Sequence, residues 1–415
     1  MVFIEMETSE NSENSENFQI PSRRIFGFFH VFHKFSHFSL HSHSNPIIRF
    51  GSLLITVVII LLQLFRFYWM LWQVPGEFLT FSWAEAKMFG FLSMESAILT
   101  MALGKMGWTQ SLGRSEKSLD SLKVLRIEKC QKKKDDYRIL WGRSLISNCF
   151  AFLTFILTTV YLAVHRDITF EDAKHSSWYW ILNLITSILC GYSNFLFLPI
   201  HTLRAHAITR EFEVFNLELE KADKEKKLTN LSVIREFGAR QIKLFEYANF
   251  LTERMERFMT WAPAFALLAF VMAVYIITEF ADKPPVLYLI CLIAWIITCF
   301  IINFSLMYPV AFIQEAMLHT SRVLLNSTIL QESEDPLIFE NYRMIIDRSL
   351  HNRSTNNVLR VFSVTRKNVE RAFFGHTVLI IVMSYVYSLD TGIDEGFTGI
   401  GKLIYMMGKN ATGQV

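Results

Sequence analysis

Seven stretches of this chain are long and apolar enough to cross a lipid bilayer, and nothing else in the sequence limits the fold so strongly. A span needs about 20 apolar helical residues at about 1.5 Å of rise each. The candidates are Gly51–Trp72, Lys87–Trp108, Ser144–Val164, Ser177–Ile200, Met259–Thr278, Val286–Val310 and Ala372–Leu389. Lipid offers the backbone no hydrogen bonds, so runs of this length are read as helices. The second run is the weakest, because it carries Lys87, Glu95 and Lys105. Of 415 residues 52% are hydrophobic and 19% charged, and the apolar ones are gathered in runs rather than alternated. The expected fold class is an all-α membrane protein with seven transmembrane helices. The amino terminus, "MVFIEMETSENSENSENF", lacks the basic-then-apolar order of a signal peptide, so the first span is expected to act as the insertion signal.

Lysine and arginine orient the spans. The tail before the first span and the second, fourth and sixth connections hold 33 of them, whereas the odd connections and the last tail hold 5. Basic residues are retained in the cytoplasm. This places the N-terminus cytoplasmic and the C-terminus extracellular, with most of the mass outside the membrane on the cytoplasmic side. The expected domains are a cytosolic tail at 1–48 that includes a candidate interfacial helix, a seven-helix domain at 49–389 and an extracellular tail at 390–415. The sequon at Asn410 then faces outward and is a glycosylation candidate, while those at Asn230, Asn326 and Asn352 face inward.

The fourth run does not end where the bilayer does. From Trp178 to Lys227 no glycine interrupts the chain except Gly191, well inside the apolar part. A helix of that length reaches about 75 Å, more than twice the bilayer core. Beyond the oily part, Ile208, Phe212, Phe215 and Leu219 form one helical stripe. Before the fifth run, Ile234, Phe237, Gln241, Leu244, Ala248, Leu251, Met255 and Phe258 alternate at three and four, a heptad seam. An antiparallel hairpin across about 201–258 is expected, turning at "ADKEKKLTNLS", and further helices across about 311–371, after the sixth run. Such stripes pack on each other, on neighbouring subunits, or on both.

Seven spans, minimal outer connections and helices 4–6 prolonged into a cytosolic bundle resemble the insect odorant and gustatory receptor superfamily. The aromatic-rich character resembles divergent nematode members, such as the serpentine receptor class r group. The resemblance covers roughly 45–390. In the last span Ser384-Tyr385 stands where gustatory receptors carry Thr-Tyr, but "VYSLDTG" follows in place of the expected Gln-Phe. The resemblance implies a homo- or hetero-tetrameric, ligand-gated cation channel of the plasma membrane. It implies a small-molecule ligand in the outer half of the bundle, the last span on the pore, and an anchor domain made by the cytosolic helices. A light- or peroxide-sensing role within the same superfamily is also open, given the aromatics.

Several residues within the spans carry chemistry. Arg66 and Glu95 lie at similar depth in the outer half. Intramembrane charges usually face the protein interior, so they are expected to pair or to line a polar ligand cavity; a tilted second span and a snorkelling Arg66 would also account for them. Tyr68, Trp69, Trp72, Tyr161, Trp178, Tyr179 and Trp180 crowd the outer half as an interfacial belt. Of these, Tyr161 and Trp180 are candidates to line a ligand pocket. Asn183 is a further candidate, and Asn194 is suited to bonding across helices. Thr377, Ile381, Ser384 and Ser388 share a helical face that suits a pore wall or ordinary helix packing. His30, His33, His37 and His41 share another stripe, interleaved with Phe and without Cys or acid beside them. An interfacial helix explains them better than zinc does.

Other function classes find little support. A net charge of +3 is too small to imply nucleic acid as a partner, no Gly-rich or Lys/Arg-rich binding stretch appears, and no HExxH, P-loop or Ser-His-Asp pattern supports catalysis or a cofactor. The five cysteines sit mostly in apolar runs and read as packing residues, not as a disulfide framework. A heptahelical G-protein-coupled receptor is the main alternative. It needs the opposite orientation, and Arg166 after the third span falls on the outer side. A transporter would favour internal repeats with broken spans, which are not evident.

Overall fold

The computed structural model describes residues 25–43, 45–73, 78–126, 137–164, 177–253, 256–280, 285–328, 335–351, 357–358 and 362–391. Within them the chain is almost wholly helical. A short α1 (Phe28–Phe35) and a 3-10 segment (His37–Ser42) precede α2 (Pro46–Tyr68), which ends in a π turn at Trp69–Gln73. Then come α3 (Phe81–Trp108), α4 (Ser111–Val124), α5 (Arg138–Val164), α6 (Ser177–Lys224) and α7 (Leu231–Glu253). The series closes with α8 (Glu256–Phe280), α9 (Val286–Leu325), α10 (Pro336–His351) and α11 (Arg366–Thr391). Two-residue strands β1 (Asn357–Val358) and β2 (Phe362–Ser363) pair antiparallel before α11. Seven helices have the length and composition to span a bilayer: α2, α3, α5, α6, α8, α9 and α11. The chain is a multi-pass membrane protein of all-α class.

Two of these helices run far past a bilayer. α6 has 48 residues and α9 has 40, about 72 and 60 Å, with Pro199 and Pro309 accommodated inside them. Both overshoot at the same end of the bundle, called here the extended end, where α4, α7 and α10 also lie. The heptad seam explains how they pack. Ile208, Phe212, Phe215 and Leu219 of α6 are buried, as are Ile234, Phe237, Leu244 and Ala248 of α7. Phe212 meets Phe245 at 5.4 Å and Phe215 meets Phe237 at 5.7 Å, both edge to face. The polar position in the seam belongs to a third helix: the Gln241 amide donates to the Ile345 carbonyl (3.0 Å) and the Ser349 hydroxyl (2.8 Å) of α10. Asn216 ties α6 to α9, donating to the Ala316 carbonyl (2.9 Å) and accepting from Thr320 (2.6 Å). Two buried ion pairs complete this end, Arg240 with Glu218 and Arg126 with Glu211.

The N-terminal segment is docked into the bundle rather than lying wholly along a membrane surface. Phe29 and Phe38 are buried, and Gly107 of α3 lies so close to Phe38 that a Cβ there would stand 2.1 Å from its carbonyl oxygen. His41 Nδ1 donates to the Gly104 carbonyl at 2.9 Å, and Nε2 meets the Thr56 hydroxyl at 2.9 Å. The opposite face, with Val31, Phe32, Phe35 and Leu40, stays exposed. Burial pushes the pKa of His33 down to about 4, helped by His30, His41 and His37. His37 is likewise lowered to about 4 by burial and by His41. Cys149, Cys190, Cys291 and Cys299 are free thiols.

Candidate functional site

α3 is the least apolar of the seven spans, and it is also the most enclosed: 78% of its apolar window lies inside the protein. Its polar residues Glu85, Ser93, Glu95, Ser96 and Thr100 are buried within the bundle, which is how the weakest run by hydropathy can be accommodated as a span. Two polar layers cross the bundle through it. In one, Gln63 of α2, Thr100 of α3 and Ser193 of α6 are all buried, with Thr100 donating to Gln63 Oε1 (2.9 Å) and lying 2.7 Å from the Ser193 hydroxyl. In the other, the Asn194 amide of α6 donates to Glu95 Oε2 (3.1 Å) and to the Ser96 hydroxyl (3.0 Å), and Ser96 itself donates to Glu95 (3.1 Å). Such layers lock helix register, because every group would lose its partner on sliding.

Four of the five candidate ligand residues fall in three places. Arg66 and Asn183 line one crevice between α2 and α6, with Phe65, Trp69, Leu182 and Thr186. Its enclosed space is ≈ 10 Å³, about the room of one water. Glu95 lies with Asn194 and Ser96, and its carboxylate takes its hydrogen bonds from them rather than from Arg66. The Arg66 guanidinium sits over the Phe89 ring at 5.5 Å. Tyr161 stacks on Tyr288 of α9 at 5.8 Å. The side chains of Trp178, Tyr179 and Trp180 lie outside the described residues, as do that of Ser388 and the whole of Asn410 and Arg166.

Sequence reasoning missed the aromatic seam between α3 and α9. Phe89 meets Trp295 edge to face at 5.5 Å, Phe155 of α5 meets it at 4.7 Å, and Phe81 meets Tyr288 at 6.1 Å. Trp295 and Tyr288 are fully buried. Glu85, between Phe81 and Phe89 on one stripe of α3, is fully buried too. The helix starts at Phe81, capped by the Thr80 hydroxyl, so Glu85 belongs to the span and not to the connection before it.

α11 is the outlier of the bundle. Only 12% of its apolar window is enclosed, yet it is less apolar than every other span but α3. α2, enclosed to 22%, is much more apolar. Thr377 and Ile381 are exposed one turn apart, whereas Ser384 is buried, its hydroxyl against the Glu279 carboxylate of α8. α11 holds to the rest through Phe373, which meets Phe270 of α8 and Phe300 of α9.

The profile of a family described as Caenorhabditis protein of unknown function, DUF267, matches residues 25–380. The chain belongs to that family. Its fold is that of a known receptor: the structure of the insect olfactory receptor OR5 from Machilis hrabei superposes with a TM-score of 0.61. The match covers 88% of this chain and 97% of that one at 12% identity. The same receptor in complex with eugenol superposes with a TM-score of 0.59, again at 12% identity and over 88% and 97% of the two chains. No curated protein matches by sequence. The chain thus has the fold of that insect olfactory receptor, at an identity that shows the architecture alone.

Proposed function

We propose that this chain is a subunit of a chemosensory cation channel in the plasma membrane, opened by a small molecule held in the outer half of the bundle. The observation that carries this reading is α11. A span bathed in lipid has reason to be at least as apolar as α2, and α11 is both the barest and nearly the most polar. Copies of the chain around an axis give its exposed face a partner and a pore, with Thr377 and Ile381 on the wall and Ser384 turned back towards Glu279.

The basic residues, 33 against 5, favour the extended end in the cytoplasm and the C-terminus outside. In that orientation Arg66, Glu95, Tyr161 and Asn183 lie on the ligand's side, and the eugenol complex of the olfactory receptor supports a small organic ligand. The extended end offers a surface for subunit contact: a groove of ≈ 470 Å³ between α6 and α9, reaching Arg366 at the foot of α11, is edged by exposed Leu217 and Phe312.

The test is thiol accessibility. Purified protein in planar bilayers is expected to pass a unitary cation current. In Thr377→Cys and Ile381→Cys, an impermeant cationic methanethiosulfonate reagent should reduce it. Absence of current, or current in both variants indifferent to the reagent, refutes the pore assignment.

A further inference from the structure

Among the described residues, Glu85 is the buried acid with both carboxylate oxygens unpartnered. It is fully buried, and neither carboxylate oxygen has a hydrogen-bond partner. By contrast Glu95 is held by Asn194 and Ser96, and Glu211 and Glu218 are paired with arginines. The surroundings of Glu85 follow from its stripe. Phe81, one turn before it, touches Tyr288, and Phe89, one turn after it, touches Trp295. Glu85 shares one stripe of α3 with those two phenylalanines, and Phe81 also touches Phe280 of α8. The Tyr288 hydroxyl and the Trp295 indole N–H, both fully buried, also lack hydrogen-bond partners. The Arg66 guanidinium lies over Phe89, and the Lys87 ammonium donates to the Met70 carbonyl at 3.4 Å.

A fully buried acid with neither oxygen partnered is costly whether it is charged or neutral. An ammonium group removes that cost, since it donates to the carboxylate while its charge rests on aromatic faces. From the position of Glu85, we infer that the ligand of this chain is a protonated amine with a small apolar body, and that Glu85 is its counter-ion. The inference rests on the reading that the outer half of the bundle binds the ligand, and it adds the ligand's charge. The Tyr288 hydroxyl and Trp295 N–H are then polar contacts for a ligand atom beyond the ammonium group.

Benzylamine and benzyl alcohol, nearly equal in shape and differing in charge at neutral pH, test this by titration calorimetry on the purified protein in nanodiscs. The amine is expected to bind at least tenfold more tightly than the alcohol. Glu85→Gln should remove that preference. Equal affinity of the two probes for the unaltered protein overturns the inference but leaves a small-molecule site in place. Preference for the amine that survives Glu85→Gln overturns the role of Glu85. Binding of neither probe overturns the inference for arylalkyl amines, whereas the channel reading stands or falls on the current. The comparison on the unaltered protein decides the question even where the variant does not fold.

Discussion

Removing one partner of the Arg240–Glu218 pair should loosen the extended end far more than removing both. The two side chains are 8% and 2% exposed, and they join α7 to α6 next to the Phe215–Phe237 contact. Arg240 also lies over the Phe215 ring at 5.6 Å, so its stem is packed as well as its charge. Breaking a buried pair from one side costs about 3–5 kcal/mol, because the other charge stays desolvated without its partner; replacing both by apolar residues of similar volume is neutral or stabilising. Glu218→Ala is therefore expected to lower amide protection in α6 and α7 of the extended end by about two to three and a half powers of ten, at about 1.4 kcal/mol per tenfold. Glu218→Leu combined with Arg240→Met should restore protection to within about tenfold of the parent. The readout is hydrogen exchange by mass spectrometry, resolved to those two helices. A single variant that loses less than tenfold would place the pair with exposed ion pairs, worth about 0–1 kcal/mol, and would refute the reasoning.

Two further outcomes test the N-terminal docking. Gly107→Ala puts a methyl 2.1 Å from the Phe38 carbonyl oxygen, so the 3-10 segment must lift and the His41 bonds must stretch. Overpacking of this kind costs about 1–3 kcal/mol, and a lower melting temperature with faster exchange over residues 28–43 is expected, while Gly51→Ala, with open space around it, should melt no earlier than the parent. The second outcome is pH dependence of opposite sign at two places. His33 and His37 are held near pKa 4, below their ordinary 6.5, so the docked segment binds fewer protons than the free one and its protection should fall as pH drops from 6.5 towards 4. Glu116 on α4 is pushed up to about 7 by burial and by Asp120, so the docked state binds more protons and protection of α4 should rise as pH drops from 7 towards 4.5. Equal or same-signed pH effects on the two segments, after correction for intrinsic exchange, would contradict both assignments.

The spans and the long hairpin were legible because lipid and helical period leave direct marks in sequence. A run of about 20 apolar residues has few other uses. The stripes Ile208–Leu219 and Ile234–Ala248 are buried because spacing at three and four keeps them on one face. Depth along a helix could be counted, but rotation about its axis could not. That is why Arg66 and Glu95, equal in depth, meet different neighbours: Arg66 turns towards Asn183, and Glu95 towards Asn194. The same limit hid Ser384, whose burial depends on how α11 is turned against α8. Glu85 was missed for a different reason. With Lys87 two residues on, it reads as the hydrated mouth of a span, and only the Thr80 cap and the Phe81–Glu85–Phe89 stripe show that the helix has already begun.

The central claim is that the polar, uncovered face of α11 meets its own kind around an ion path. Electron cryomicroscopy of the purified chain in nanodiscs tests it most directly. The account predicts a fourfold particle with α11 of each subunit nearest the axis, Thr377 and Ile381 on its wall, and the extended ends joined on one side of the membrane. A monomer, or an assembly in which α11 lies on the outer rim against lipid, would contradict it.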